Sequence, residues 1–404
     1  MTYRLFLWKR WIEDILIAPF IWMGRAHADK YPLTESYEIY FFFPFYHTGG
    51  AEKVHAQIAQ AFRNRKCLVI FTRRSRDEGF RKAFEASGHR VLDISAYTDN
   101  KRRYWKNLIW RGVVSSHINR QKQHPLVFNG QCNFAYKCSR WINPSVPQVE
   151  LIHSFNSFSW IRIPFLPFYR QTVMISRKAM SDHAAQYQRI GTPSAMLERI
   201  TLIPNGIPLP EHTLPRTFGG QALRVLYVGR ATPEKRVQLV AEIAVQARKE
   251  SRPFSFTFAG DIREHLPESY QDAGNFLGSI EDPEQLRAVY AAHDIVIITS
   301  SEEGFPLAVM EGMAMGCIIL ATPVGDLPYH IRPGEQGFVF SQADPETVVR
   351  EAMGILDKLL AAPALCAAIS AGNIRYAKEH FGITTFARSY HELVDRLMPP
   401  SETA

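Results

Sequence analysis

Four short stretches carry residue types whose spacing suits chemistry on an anionic, hydroxyl-rich ligand. In SSEEGFPLAVMEGMAMG (300–316), Glu303 precedes an apolar helix and Glu311 stands within it. A carboxylate among apolar neighbours is costly unless partnered, and carboxylates accept hydrogen bonds from ligand hydroxyls. Pro306 suits the first helical position. The N–H groups of Phe305, Leu307 and Ala308 then face an anion or hydroxyl at the positive end of the helix dipole. The plain alternative is one Glu that merely favours the dipole and another bonded within the fold.

In YVGRATPEKRV (227–237), Gly229 closes a strand, Arg230 follows it and Lys235 opens the next helix. A bidentate Arg and a point-charge Lys can neutralise a diphosphate. Either alone reads equally as a surface cation, and Glu234 is placed to pair with Lys235 locally. In PFYHTGGAEKV (44–54), Gly49 and Gly50 lie between a first strand and a first helix, where glycine lets backbone approach a ligand. A lone glycine pair is common in such turns. In ELIHSF (150–155), His153 ends a strand, a place where a lone histidine is more often structural.

The elements that must hold these residues alternate. Apolar runs at 38–45, 67–72, 90–94, 125–130, 148–155 and 172–176 read as strands, with helices at 52–62, 78–87 and 101–122. The proline- and glycine-rich segment 203–220 reads as a linker. Strands then recur at 223–229, 254–260, 294–300, 317–322 and 337–340, with helices at 234–250, 282–293 and after Phe305, and helices dominate from Pro345. Short buried strands spaced by helices predict parallel sheets covered on both faces. The expected architecture is α/β: two tandem Rossmann-like doubly wound domains, whose ligands bind beyond the carboxyl ends of the strands.

Taken in order, GGAEK (49–53), IPNGI (203–207), G-R-x-x-x-E-K (229–235) and Glu303-x7-Glu311 resemble the retaining nucleotide-sugar glycosyltransferases of family 4, which have the GT-B fold. The resemblance covers roughly residues 38–398 and is strongest over 200–330. It implies that Arg230 and Lys235 hold a donor diphosphate. Glu303 and the Gly304–Leu307 backbone would contact the transferred sugar, and Glu311 the nucleoside ribose. Gly49 and Gly50 would close over the donor and acceptor site, with His153 near the sugar. The helix around 384–397 resembles the family's last, which returns to the first domain. The domains implied are an amphipathic N-terminal extension (1–35), an acceptor-side domain (36–205, with returning helix 383–398) and a nucleotide-sugar domain (206–382). Pro306 stands where many members have glycine, and Val324-Gly325-Asp326-Leu327-Pro328 departs from the family's Gly-Gly-x-x-Glu. No D-x-D occurs, so a metal-dependent mechanism is disfavoured and no metal or other cofactor is expected. Retention by front-face attack, and a UDP-sugar donor suggested by the Glu303–Pro306 variant, follow from the resemblance alone. A nucleotide-sugar epimerase and a non-catalytic subunit of a polysaccharide assembly complex are the competing readings.

Charge is uneven. Residues 1–205 carry 30 Lys and Arg against 14 Asp and Glu, and residues 206–404 carry 17 against 25. The first half is either a solvated basic surface or one that faces an anionic partner, such as a lipid-linked or anionic glycan acceptor or a membrane. No zinc-finger spacing or RNP-like motif supports a nucleic-acid partner. At the N-terminus, Pro19 interrupts the run Ile15–Met23, which is too short to span. Its aromatics fit an interfacial helix or one that covers a protein surface. Export is not expected, and five cysteines without C-x-x-C spacing read as reduced thiols. The expected place is the cytoplasm, peripheral at the inner face of the cell membrane.

Overall fold

A computed structural model describes residues 2–214, 216–219 and 221–398. Pro215 and Gly220, inside the expected linker, lie outside the described residues. The chain forms two compact units, one from residues up to Pro204 together with those from Phe386 onward, the other Asn205–Thr385.

The first unit holds a seven-stranded sheet in the order β3-β2-β1-β4-β5-β6-β7. The strands are β1 Ile39–Phe43, β2 Cys67–Phe71, β3 Arg90–Asp93, β4 Leu126–Asn129, β5 Gln148–Ile152, β6 Gln171–Met174 and β7 Ile200–Leu202. All pairings are parallel. Central strands β1, β2 and β4 are buried along their whole length, as expected where helices cover both faces. Helix α2 (Gly50–Ala61) follows β1. The terminal helix Ile383–Leu397 enters this unit at Phe386, where Tyr390 lies 6.0 Å from the Phe128 ring and Asp395 pairs with Arg65.

Helix α1 spans Tyr3–Lys30 without a break and contains Pro19. The sequence reading had Pro19 interrupting this stretch. A helical proline forfeits one hydrogen bond and crowds the carbonyl four residues back. Here Pro19 and Ile15 are not buried, so water can take the freed carbonyl. Of the buried side, Tyr3, Arg10, Asp14, Ile21, Gly24 and Ala28, the stretch around Ile21 and Gly24 packs along the helix Tyr104–Asn119, while Tyr3 joins Ile163, Leu166 and Tyr187 and Arg10 lies over the Phe165 ring. The contact is close because glycine stands on both helices. A Cβ on Gly24 would lie 2.0 Å from Ile109 O, and one on Gly112 would lie 2.1 Å from Ile21 O. Arg10 and Asp14 pair on the same buried side, and Arg140 reaches Asp14 at 3.4 Å.

The second unit holds a six-stranded parallel sheet in the order β10-β9-β8-β11-β12-β13. Its strands are β8 Leu223–Val228, β9 Phe254–Ala259, β10 Asn275–Gly278, β11 Ile295–Ile298, β12 Ile318–Ala321 and β13 Gly337–Val339. Helices cover the two faces with separate cores. Ile243, Val348 and Leu356 lie in one, and Val309, Met310 and Met313 in the other. In each sheet the chain reverses its winding beside the first strand, between β1 and β4 and between β8 and β11. Such switch points open a crevice at the carboxyl ends of the strands.

Candidate functional site

In the second unit, the switch between β8 and β11 gathers most of the residues singled out from sequence. Gly229 continues β8, and a Cβ there would press 2.9 Å from the Tyr227 hydroxyl, which itself donates to Arg230 O (3.0 Å). Gly260, at φ +136°, faces Gly229 from β9 so closely that a Cβ would strike Gly229 O at 2.0 Å. Arg230 is exposed. Pro233–Lys235 forms a short 3-10 turn ahead of the helix Val237–Lys249, so Lys235 precedes this helix instead of opening it.

Between turn and helix stands Arg236, in the left-handed conformation at φ +48°. Its guanidinium donates to Thr299 O (2.7 Å), Ser300 O (3.1 Å) and Ala343 O (2.6 Å). Three carbonyls from two loops thereby hold the residue beside Lys235 in a conformation that non-glycine residues adopt only at a cost. The Lys235 ammonium reaches Glu303 Oε1 at 2.6 Å, and Ser300 Oγ donates to the same oxygen at 2.6 Å. The alternative reading had Lys235 pair locally with Glu234; its ion pair here is with Glu303. Glu234 accepts from Thr232 (2.7 Å), and its carbonyl accepts from Ser301 N–H (2.8 Å).

The helix after β11 runs Leu307–Ala314, with Pro306 as its N-cap at φ −69°, ψ 135°, one position before the expected one. The Leu307 and Ala308 N–H groups precede the helical bond from Val309 N–H to Pro306 O (3.1 Å). The Phe305 ring is buried against His330, with centroids 4.2 Å apart. Gly325 buttresses the loop below Glu303 and Gly304. At φ +59°, a Cβ would meet Gly304 O at 2.3 Å and Glu303 O at 2.4 Å. Asp326 N–H donates to Gly304 O at 2.8 Å. The Val324–Pro328 departure therefore packs under the glutamate loop.

Glu311 is half-buried on the same helix, and the Tyr290 hydroxyl donates to its Oε2 at 3.0 Å. Burial, and then the carboxylate, push the Tyr290 phenol well above its ordinary value, so it stays a donor. A tyrosine therefore already partners the carboxylate in the apolar helix.

The first unit gathers the others. His153 follows β5 and lines a cavity of about 740 Å³ together with His55, Arg73, Lys101, Tyr104 and Lys137. Its Nε2 lies 2.9 Å from Nε2 of His55, a residue of α2 that stacks on Phe43 at 4.4 Å. One ring must donate and the other accept. Burial lowers His153 to about 4 and drives His55 well below its ordinary value, so both are neutral near pH 7. Gly49 has extended backbone (φ 179°), and a Cβ there would collide with Glu52 Oε2 at 2.2 Å. Gly50 opens α2, and a Cβ there would meet nothing within 4 Å. Their neighbours Ala51 and Glu52 line the cavity.

Beneath His153, β5 carries a fully buried ion pair. Arg162 binds Glu150 with two nitrogens, while Tyr136 OH (2.7 Å) and Thr172 Oγ1 (2.6 Å) donate to the same carboxylate. Burial alone would raise Glu150, but Arg162 and these donors hold it below the usual carboxylate range. Sequence reading passed over Glu150, His55, Ser300, Arg236 and Tyr290. The first sat unnoticed in the quoted ELIHSF, and Arg236 directly follows a residue already singled out.

Part of the sequence, and the fold, have known counterparts. Residues 222–358 match the family described as Glycosyl transferases group 1. Over 226 residues, half of this chain, the sequence is 30% identical to a D-inositol 3-phosphate glycosyltransferase of Thermobispora bispora, across 52% of that protein. The chain thus spans about half the length of that curated relative. Anabaena HepE, solved with UDP-glucose, superposes with a TM-score of 0.70 at 18% identity over 89% of this chain and 99% of its own. The lipopolysaccharide outer core galactosyltransferase WaaB gives 0.65 at 15% identity over 88% and 98%. The fold is of the GT-B class. At such identities the structures speak for the fold alone. The family match covers the unit that carries Arg230, Lys235, Glu303 and Glu311.

Proposed function

We propose that this chain is a glycosyltransferase that moves a sugar, with retention and without a metal, from a UDP-sugar to a lipid-linked or surface-polysaccharide glycan acceptor. The observation that carries the reading is the convergence of Lys235 and Glu303 at 2.6 Å on the β8/β11 switch, within the stretch matched to the family. An arriving diphosphate competes for Lys235 and draws it from Glu303. That exchange leaves a carboxylate, still held by Ser300, to accept sugar hydroxyls. Arg230, exposed at the end of β8, adds the second cation, and the first-turn N–H groups of the helix at Leu307 add donors. Glu311, oriented by Tyr290, takes the ribose diol.

In the front-face reading, the bond from the anomeric carbon to the leaving phosphate oxygen breaks as the acceptor oxygen bonds to the same face. The acceptor proton passes to that phosphate oxygen. Charge developing on the diphosphate falls to Arg230 and Lys235, so no protein carboxylate need attack the sugar and no metal is required. His153, half-buried and neutral beside His55, serves as a hydrogen-bonding partner for the sugar or acceptor.

The cavity in the first unit suits the acceptor. Arg73, Lys101 and Lys137 offer cations, and Tyr104 and Phe158 offer stacking surfaces. The named activities of the relatives, on inositol phosphate and on lipopolysaccharide core, are in keeping with an anionic or lipid-linked acceptor. Such an acceptor places the protein at the inner face of the cell membrane as a peripheral enzyme. A thermal-shift screen against UDP, GDP and ADP tests the donor. UDP should raise the melting temperature most, and no response to any of the three would overturn the reading.

A further inference from the structure

We propose that the outward face of α1 docks in the plane of an anionic lipid bilayer. The helix presents two opposite sides. Tyr3, Arg10, Asp14, Ile21, Gly24 and Ala28, spaced by three, four and seven residues, form the side closed against the protein. The other side exposes Leu5, Trp8, Trp11, Ile15, Leu16, Trp22 and Met23, with Leu16 70% and Trp22 62% exposed. Pro19 lies on the same arc. Seven large apolar side chains on one face exceed the scattered exposure normal for a soluble surface.

The partner follows from composition and charge. Three indoles on one face are what an interface between headgroup and hydrocarbon favours. Arg4, Lys9 and Lys30 are exposed along the stripe, and no acid among the described residues pairs with them. The acids of α1 are already paired with the protein's own arginines, Glu13 and Asp14 with Arg10 and Asp29 with Arg120. What remains outward is cationic and apolar, complementary to an anionic surface. A second copy is a poorer occupant, because it would oppose one excess of Lys and Arg with another. No single described helix is long and apolar enough to cross a membrane. The Gly24–Gly112 contact also holds α1 lengthwise on the fold, so docking is in-plane.

This inference does not depend on the transferase reading. Sedimentation with vesicles of phosphatidylcholine, with or without phosphatidylglycerol, tests it on the full chain. Wild-type protein should pellet with the anionic vesicles, much less with the neutral ones, and be partly released by high salt. A Trp8→Ser, Trp11→Ser, Trp22→Ser triple variant should lose at least about tenfold in vesicle affinity at an unchanged melting temperature. Leu16→Glu, a single change on the most exposed position, should weaken binding in the same direction if the triple variant is unstable. Wild-type protein that ignores anionic vesicles at low salt would overturn the proposal, as would variants that pellet like wild type. So would a wild-type dimer that the triple change converts to monomer without any vesicle binding. If UDP fails to bind while the vesicle results hold, the transferase reading falls and the docking surface stands.

Discussion

Gly50 separates a structural demand from a ligand demand. Its Cβ position is open, whereas that of Gly49 is closed by Glu52. Gly50→Ala should therefore leave thermal stability within about 0.5 kcal/mol, and any loss of turnover reports on close approach of a ligand. Lys235→Ala and Arg230→Ala should each lower turnover by about 10² at saturating donor, the usual cost of losing a group that stabilises developing charge. The histidine pair predicts a pH signature. In the unfolded chain His55 and His153 protonate near 6.5, while in the fold His153 does so only near 4 and His55 also well below its ordinary value. Between those limits the unfolded state binds more protons, so stability should fall as pH drops from about 6.5 toward 4 and be flat above. His55→Asn and His153→Asn should each flatten that limb in thermal melts. An undiminished slope in both would show that other groups set it.

The elements most legible from sequence were those whose burial is complete. β1, β2, β11 and β12 are apolar at every position because both faces are covered. Edge strands β7 and β10 escaped notice, since Ile200–Leu202 and Asn275–Gly278 are short and incompletely buried. The helix Arg177–Ile190 was passed over although Ser176 caps it, accepting from Ala179 N–H at 3.1 Å. The motif spacing put Lys235 at the strand-to-helix junction where it stands but was silent on its partner Glu303. Ser300 and Arg236 act through side-chain contacts to groups distant in sequence or set by loop geometry, and Gly325 through a close backbone approach, none of which a linear pattern encodes. Glu150 on β5 was invisible for a related reason, since its partner Arg162 lies outside the strand. Breaking that buried pair should be severe. Arg162→Ala leaves a charge without its counterion, and chemical denaturation should show about 3–5 kcal/mol lost. A loss below about 1 kcal/mol would mean that water or a neighbour replaces Arg162.

Across the whole molecule, the family match and the positive charge fall on different units. The matched stretch 222–358 lies wholly in the second unit, which holds the proposed donor residues. The excess of Lys and Arg lies in the first half, with the cavity of Arg73, Lys101 and Lys137. That division predicts separable effects. Lys137→Ala should raise the KM for an anionic acceptor several-fold and leave UDP affinity unchanged, which calorimetry and initial rates can establish together. The central claim is that Arg230, Lys235, Glu303 and Glu311 form a nucleotide-sugar site, and calorimetric titration of UDP and UDP-sugar tests it most directly. Wild-type protein should bind both. Lys235→Ala and Glu311→Gln should each weaken UDP by about tenfold or more. Glu303→Gln should leave UDP nearly unchanged, because it also frees Lys235, and should weaken only the sugar nucleotide. Equal losses for UDP in the Glu303 and Glu311 variants, or no binding of UDP to the wild-type protein, would contradict the assignment.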